Sequence, residues 1–217
     1  MSVPLALRRV VTAIAVAATS LTGVVLAATP ASAACADVEV VFARGTLELP
    51  GVGLAGGPFA DAIKANLLGK SVNVYAVNYD ADVLQTSAGA GATDMTNHVK
   101  SVAASCPNTS FVLGGYSQGA SVTDIALGIP TFLGSGSSIP LELSPRIKAI
   151  GVFGNPLRLF GQNINSASLL YGGRAKDICA SGDPICANGV NIAAHLGYGL
   201  DGSAASAGQF AANLVKS

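Results

Sequence analysis

Apolar residues in this chain fall into short blocks, and the spacing within each block separates strand from helix. Val38 to Phe42 (VEVVF), Val72 to Val77 (VNVYAV), Ser110 to Gly114 (SFVLG) and Ile147 to Phe153 (IKAIGVF) are brief, β-branched and nearly continuous. That pattern predicts strands buried on both faces. A fifth, shorter strand is expected over 174–178. Between the strands the apolar period lengthens. Residues 58–68 (PFADAIKANLL) predict a helix with Pro58 near its start and Gly69 just past its end. Residues 87–105 predict a second, with Met95, Val99 and Val102 on one side. A third begins at Ser117, and 204–215 form a closing helix. The Gly-, Ser- and Pro-rich stretch 129–145 predicts a surface loop. It follows the helix that starts at Ser117 and is expected at the far edge of the sheet. Strands alternating with helices imply an α/β fold of three layers, a central, mostly parallel sheet with helices on both faces.

The first 33 residues follow a different pattern. Arg8 and Arg9 precede an apolar stretch from Val10 to Ala28, which ends in Pro30 and Ala31-Ser32-Ala33. This is the layout of a secretory signal peptide with an A-x-A cleavage site. A retained anchor is the rival reading, but a spanning helix wants about 20 mostly apolar residues, and Thr12, Thr19, Ser20 and Thr22 dilute this one. A lipid on Cys35 is disfavoured because no Leu stands where such a signal needs one. The expected product is one domain, 34–217, secreted or held at the cell wall, without stable membrane insertion.

Composition narrows the classes further. Half the residues are hydrophobic, 11% are charged, and the formal net charge is zero. No Lys/Arg cluster occurs, which argues against nucleic acid as a partner, and the apolar content argues against a disordered chain. No metal-ligand cluster, phosphate loop or cofactor fingerprint is recognisable, so neither metal nor cofactor is expected. The expected state is a monomer. The four cysteines, Cys35, Cys106, Cys179 and Cys186, all lie beyond the leader. An even count in an exported chain favours two disulfides over four buried thiols.

Candidate chemistry centres on Gly115-Tyr116-Ser117-Gln118-Gly119, a G-x-S-x-G pattern entered from an apolar strand and left through a helical segment. That context is what a nucleophile elbow requires. Flanking glycines remove side chains that would clash in so tight a turn. A strand–helix turn with an idle serine is the bland alternative. The serine needs a base, and only His98 and His195 are available. In α/β-hydrolases the order runs Ser, acid, His, which selects His195. His98 precedes the serine and sits mid-helix beside Asn97 and Lys100, on what reads as a solvated face. The acid is then Asp124, Glu142, Asp177 or Asp183. Asp124 falls about two turns down the helix from Ser117, Glu142 lies in the surface loop, and Asp177 lies within the last strand. Asp183 sits in a short loop between Cys179 and Cys186, where a bridge would hold a carboxylate still, and it is the residue chosen. An Asp-Pro turn residue is the alternative there.

Strand direction supports this set. Parallel strands share one carboxyl edge, where ligands bind, and Arg44-Gly45-Thr46, Ser117 and Asp183 all follow strands. Cys35 and Cys106 each precede a strand and share the opposite edge. Of three possible connectivities this favours Cys35–Cys106 and Cys179–Cys186.

Taken together, Ala43-Arg44-Gly45-Thr46, Gly114 to Ala120, the Cys179–Cys186 loop with Asp183, and His195-Leu196-Gly197-Tyr198-Gly199 resemble the cutinase family, small α/β-hydrolases without a true lid domain. The Ala-rich composition and the leader look like those of an actinobacterial member. The resemblance implies that Ser117 attacks an ester, His195 moves its proton, and Asp183 orients His195. It implies an oxyanion hole from the backbone N–H groups of Thr46 and Gln118, with the Thr46 hydroxyl as a further donor; fungal members usually carry Ser there. It also implies an acyl groove lined by Val83 and Leu84 on one side and Val190, Ile192 and Leu196 on the other. Short- to medium-chain acyl esters, of a lipid, a cutin-like polyester or an acylated small molecule, are the expected substrates and the expected partners. A carbohydrate deacetylase of the acetylxylan esterase type, or a secreted surface protein with secondary esterase activity, are the alternatives.

Overall fold

The computed structural model describes residues 35–217, and the expected signal segment lies outside them. Five strands, β1 (Val38–Ala43), β2 (Val72–Ala76), β3 (Ser110–Tyr116), β4 (Ile147–Phe153) and β5 (Ala175–Ile178), form one sheet. Every pairing is parallel, and the order is β2-β1-β3-β4-β5. The chain therefore steps outward from β1 to β2, then returns past β1 to build the other half. Right-handed crossovers then send α1 (Gly53–Asn66) to one face and α2 (Ala88–Ser105) and α3 (Gln118–Ala126) to the other. The closing helix packs beside α1. This is the α/β-hydrolase arrangement of three layers.

Alternation along β1 feeds two cores. Val40 and Phe42 meet Phe59, Ile63 and Phe153 on the α1 side. Val41 and Ala43 meet Met95, Val99 and Leu113 on the α2 side. With both faces covered, β1 has no polar face to show, hence its nearly continuous apolar run. The Ala-rich C-terminal segment has a packing reason as well. A Cβ on Gly208 would stand 2.5 Å from the Phe59 carbonyl, so that helix lies almost directly on the α1 backbone.

Three sequence expectations shift. Helix α1 begins at Gly53, so Pro58 lies inside it and not near its start. Its beginning is fixed by a residue outside the helix: the Glu48 carboxylate accepts the N–H of Leu54 at 2.7 Å and that of Gly45 at 2.6 Å. His98 is not simply solvated. Its ring stacks on Tyr75 with centroids 3.5 Å apart, and Nε2 lies 2.7 Å from Glu39 Oε1. The largest shift concerns 129–145. After α3 the chain does not stay at the far edge. It doubles back along α2 and brings Phe132 and Leu133 to the cleft at Ser117. The cause is backbone contact at the start of α2, since a Cβ on Gly89 would stand 2.0 Å from the Ser135 carbonyl. Thr93 and Thr96 then fasten Ser137 at 3.1 and 2.9 Å.

Cys35 is bonded to Cys106 and Cys179 to Cys186. The first bridge spans 71 residues, for which chain entropy gives about 4 kcal/mol. The second spans 7 and is worth about 2 kcal/mol by the same relation. Restricting the unfolded chain is thus the first bridge's main effect, while the second shapes a loop.

Candidate active site

Ser117 stands between β3 and α3 with φ 55° and ψ −117°, a conformation that L-residues seldom adopt. The surroundings impose it. Its N–H donates to the Phe153 carbonyl and its own carbonyl accepts from Ala120, both at 2.9 Å. A Cβ on Gly115 would stand 1.9 Å from the Gly119 carbonyl oxygen, and one on Gly119 would stand 2.0 Å from that of Ala43. Two glycines and a strained serine are thus one steric solution. β1 and β3 are neighbours whose connections leave in opposite directions, so Thr46 and Ser117 flank the switch point where open sheets bind ligands.

His195 lies on a one-turn helix, Ile192–Leu196. Its Nε2 is 3.0 Å from Ser117 Oγ and its Nδ1 is 2.8 Å from Asp183 Oδ2. The Tyr116 hydroxyl donates to the His195 carbonyl at 2.8 Å. Gly154 lets the imidazole in, because a Cβ there would stand 2.8 Å from its Cε1. Asp183 is buried and accepts three hydrogen bonds: His195, the Tyr198 hydroxyl at 2.6 Å, and the Ile185 N–H at 2.6 Å. Burial alone would raise its pKa. The bonds from Tyr198, His195 and Ile185 outweigh burial and hold the carboxyl below the ordinary carboxylate range. Tyr198 also accepts the Ala180 N–H at 2.9 Å, so one side chain ties the start of the disulfide loop to its acid.

Thr46 is held from two sides. The Arg44 guanidinium donates to the carbonyls of Glu48 (2.8 Å) and Tyr79 (2.6 Å), which fixes the loop after β1. Gln85 Nε2 donates to Thr46 Oγ1 at 2.6 Å, and Thr46 Oγ1 lies 3.4 Å from Gln118 Oε1. Gln118 is the first residue of α3, where backbone N–H groups have no intrahelical acceptor.

A cavity of about 310 Å³ opens at Ser117, lined by Gln85, Phe132, Leu133, Pro156, Leu159, Phe160 and Ile185. None of Val83, Leu84, Val190, Ile192 and Leu196 lines it, contrary to the sequence expectation; all five are exposed. Leu196 instead borders a separate cavity with Leu54, Pro58 and Leu200. The reason lies partly in the loop after β2. The Asp82 carboxylate accepts the N–H groups of Leu84, Thr86 and Ser87, a tight ring that gives Gln85 to the cavity and leaves Val83 and Leu84 in solvent. Gln85, Tyr198 and the Phe132–Leu133 pair are the functional candidates that sequence reasoning missed. Phe132 did leave a signal, as the sole aromatic of a polar loop.

The rejected acids lie elsewhere. Asp177 pairs with Arg158 at 3.3 Å and accepts from Asn155 and the Ile164 N–H, each at 3.0 Å. Asp124 is fully buried, and neither carboxyl oxygen has a hydrogen-bond partner. Desolvation, then the nearby Asp177 charge, push its pKa well above the ordinary value, against a smaller opposing effect of Asn155. Asp124 thus keeps its proton when the unfolded chain has lost it. Its stability cost is absent below the ordinary carboxylate pKa and grows as pH rises toward the folded value. An Asp124→Asn variant should match the parent's melting temperature near pH 4 and exceed it at pH 8, by roughly 2–4 °C per kcal/mol relieved. Thermal unfolding at both pH values checks this, and parallel profiles would contradict it.

The family model described as Cutinase matches residues 34–215. A cutinase of Kineococcus radiotolerans is 51% identical over 187 residues, covering 85% of this chain and 64% of that protein. Probable carboxylesterase Culp3 of Mycobacterium tuberculosis is 49% identical over 155 residues, 70% of this chain and 58% of that protein. The chain thus spans about three fifths of the length of these two relatives. Among solved structures, an acetyl xylan esterase in an iodinated complex superposes with a TM-score of 0.72 at 26% identity, over 83% of this chain and 99% of that one.

Proposed function

Since the chain belongs to the cutinase family, we propose that it is a serine carboxylesterase that hydrolyses acyl esters through an acyl-enzyme on Ser117. The observation that carries this reading is the unbroken relay Asp183–His195–Ser117, at 2.8 and 3.0 Å, opening onto an apolar cavity. Ser117 Oγ attacks the ester carbonyl carbon while His195 Nε2 takes its proton. Asp183 remains ionised, fixes the tautomer with the proton on Nδ1, and stabilises the imidazolium. The oxygen of the tetrahedral intermediate is received by the N–H groups of Gln118 and Thr46. The Thr46 hydroxyl, which accepts from Gln85 and donates to Gln118 Oε1 in the resting site, turns its proton to the oxyanion and supplies a third hydrogen bond. Collapse expels the alcohol with the proton from His195. Water, deprotonated by the same ring, then releases the acid.

The cavity's apolar lining favours acyl chains longer than acetyl, so a lipid or polyester acyl group is preferred over an acetylated carbohydrate. The leader pattern supports action outside the cell. Among the described residues, no helix is long and apolar enough to cross a membrane.

Fluorophosphonate labelling tests this reading. The parent protein should take up one equivalent at Ser117, located by peptide mass spectrometry, and should cleave p-nitrophenyl butyrate faster than the acetate. No labelling would refute the esterase. Labelling with cleavage confined to acetyl esters would favour the deacetylase.

A further inference from the structure

The wall of the cavity at Ser117 includes a pair of aromatic rings. Phe132 and Phe160 meet edge to face with centroids 4.3 Å apart. Both border the Ser117 cavity, and both also border a second cavity of about 430 Å³, completed by Pro130, Thr131 and Gln162. Only this ring pair is common to the two linings. Phe132 is 62% and Phe160 59% exposed, so neither is locked in the core. They come from unrelated segments, one from the returning loop and one from the short turn Pro156–Phe160, which ends at Gly161 with φ 74°. Neither belongs to β3, β4 or the relay.

We propose that Phe132 and Phe160 form a bar across the acyl path that sets chain-length preference, and that the cavity beyond receives the distal methylenes of long acyl chains once the rings part. The occupant is the acyl chain of the ester under attack, because the path is continuous with Ser117 and its walls, Leu133, Leu159, Pro156 and Ile185, are apolar. Magnitudes set the behaviour. Parting an edge-to-face pair forfeits about tenfold at most. Each methylene buried beyond the bar returns about fourfold. Two methylenes past the rings therefore offset the loss. Specificity should climb with chain length until the first cavity is full, level off at the bar, and climb again.

This inference rests on the serine-esterase reading, and the experiment separates the two. kcat/KM is measured for p-nitrophenyl esters from butyrate to palmitate, in the monomeric concentration range, on the parent, Phe160→Ala and Phe132→Ala. Both variants should raise the ratio of long-ester to butyrate kcat/KM by about tenfold. The plateau should vanish from their profiles. Inactivation rates with butyl and hexadecyl phosphonates should show the same shift in ratio, independently of deacylation. Thermal melting verifies folding, and Phe160→Leu stands in if an alanine variant does not fold. A long-to-short ratio unchanged in every folded variant overturns the bar. Failure of the parent to cleave any ester overturns the esterase reading instead.

Discussion

Replacing Ser117 by Ala should lower kcat for p-nitrophenyl butyrate by about 10⁵–10⁶-fold, with the fold intact. The side chain fills no core space and its oxygen is the nucleophile in hydrogen-bond reach of His195 Nε2. Any remaining rate would come from the cavity and the oxyanion donors acting on water, which together retain about 10³–10⁴ over the uncatalysed reaction in comparable sites. A second substitution separates chemistry from strain. Ser117→Gly should be equally inactive yet melt above Ser117→Ala, because φ 55° with ψ −117° is open to glycine and costly for alanine. Burst titration, steady-state rates and thermal melting on the three proteins decide it. A Ser117→Ala protein with more than a thousandth of parental turnover would displace Ser117 from its role.

Asp183→Asn should cost about 10⁴-fold in kcat. The amide is isosteric but brings its own N–H groups to a pocket already filled with donors from Tyr198, His195 and Ile185. Facing a donor, the imidazole would move its proton to Nε2, where it can no longer take one from Ser117. Stability should change with a definite sign. Asp183 is held below the ordinary carboxylate pKa in the fold, so its contribution is present above the unfolded value and is lost as pH falls through the folded one. The variant's melting deficit should therefore be largest near pH 7 and shrink on acidification. Equal deficits at pH 7 and pH 3 would show that the three hydrogen bonds, and not the charge, carry the stability.

Much of this molecule was legible because its sheet is buried on both sides. Val38 to Phe42 could only be an inner strand, and the order of strands and helices followed from such runs. The relay was legible because its members stand in short motifs whose chain order is fixed. What escaped was set by particular hydrogen bonds and close approaches that an apolar pattern does not show. Nothing near Gly53 in sequence announces a helix start, which is imposed by Glu48 reaching over a glycine. Nothing in 129–145 announces its return, which depends on Gly89 meeting Ser135. The lining of the cavity at Ser117 was hidden for a related reason. Val83 and Leu84 are apolar, but the orientation of a loop side chain follows from where its backbone hydrogen bonds go, and Asp82 takes them.

The segment that doubles back over α2 supplies Phe132 and Leu133 to the cavity wall, whereas the relay is drawn from β3, the disulfide loop and the turn at His195. The Phe132–Leu133 part of the wall is thus carried by a stretch of chain separate from the one that holds Asp183 and His195. Loop closure costs rise only slowly with length, so lengthening, shortening or replacing 130–137 leaves the nucleophile, base and acid where they are. On the serine-esterase reading, that position is a variable region at which a directed library could alter the cavity wall at Ser117 while Asp183 and His195 keep their places.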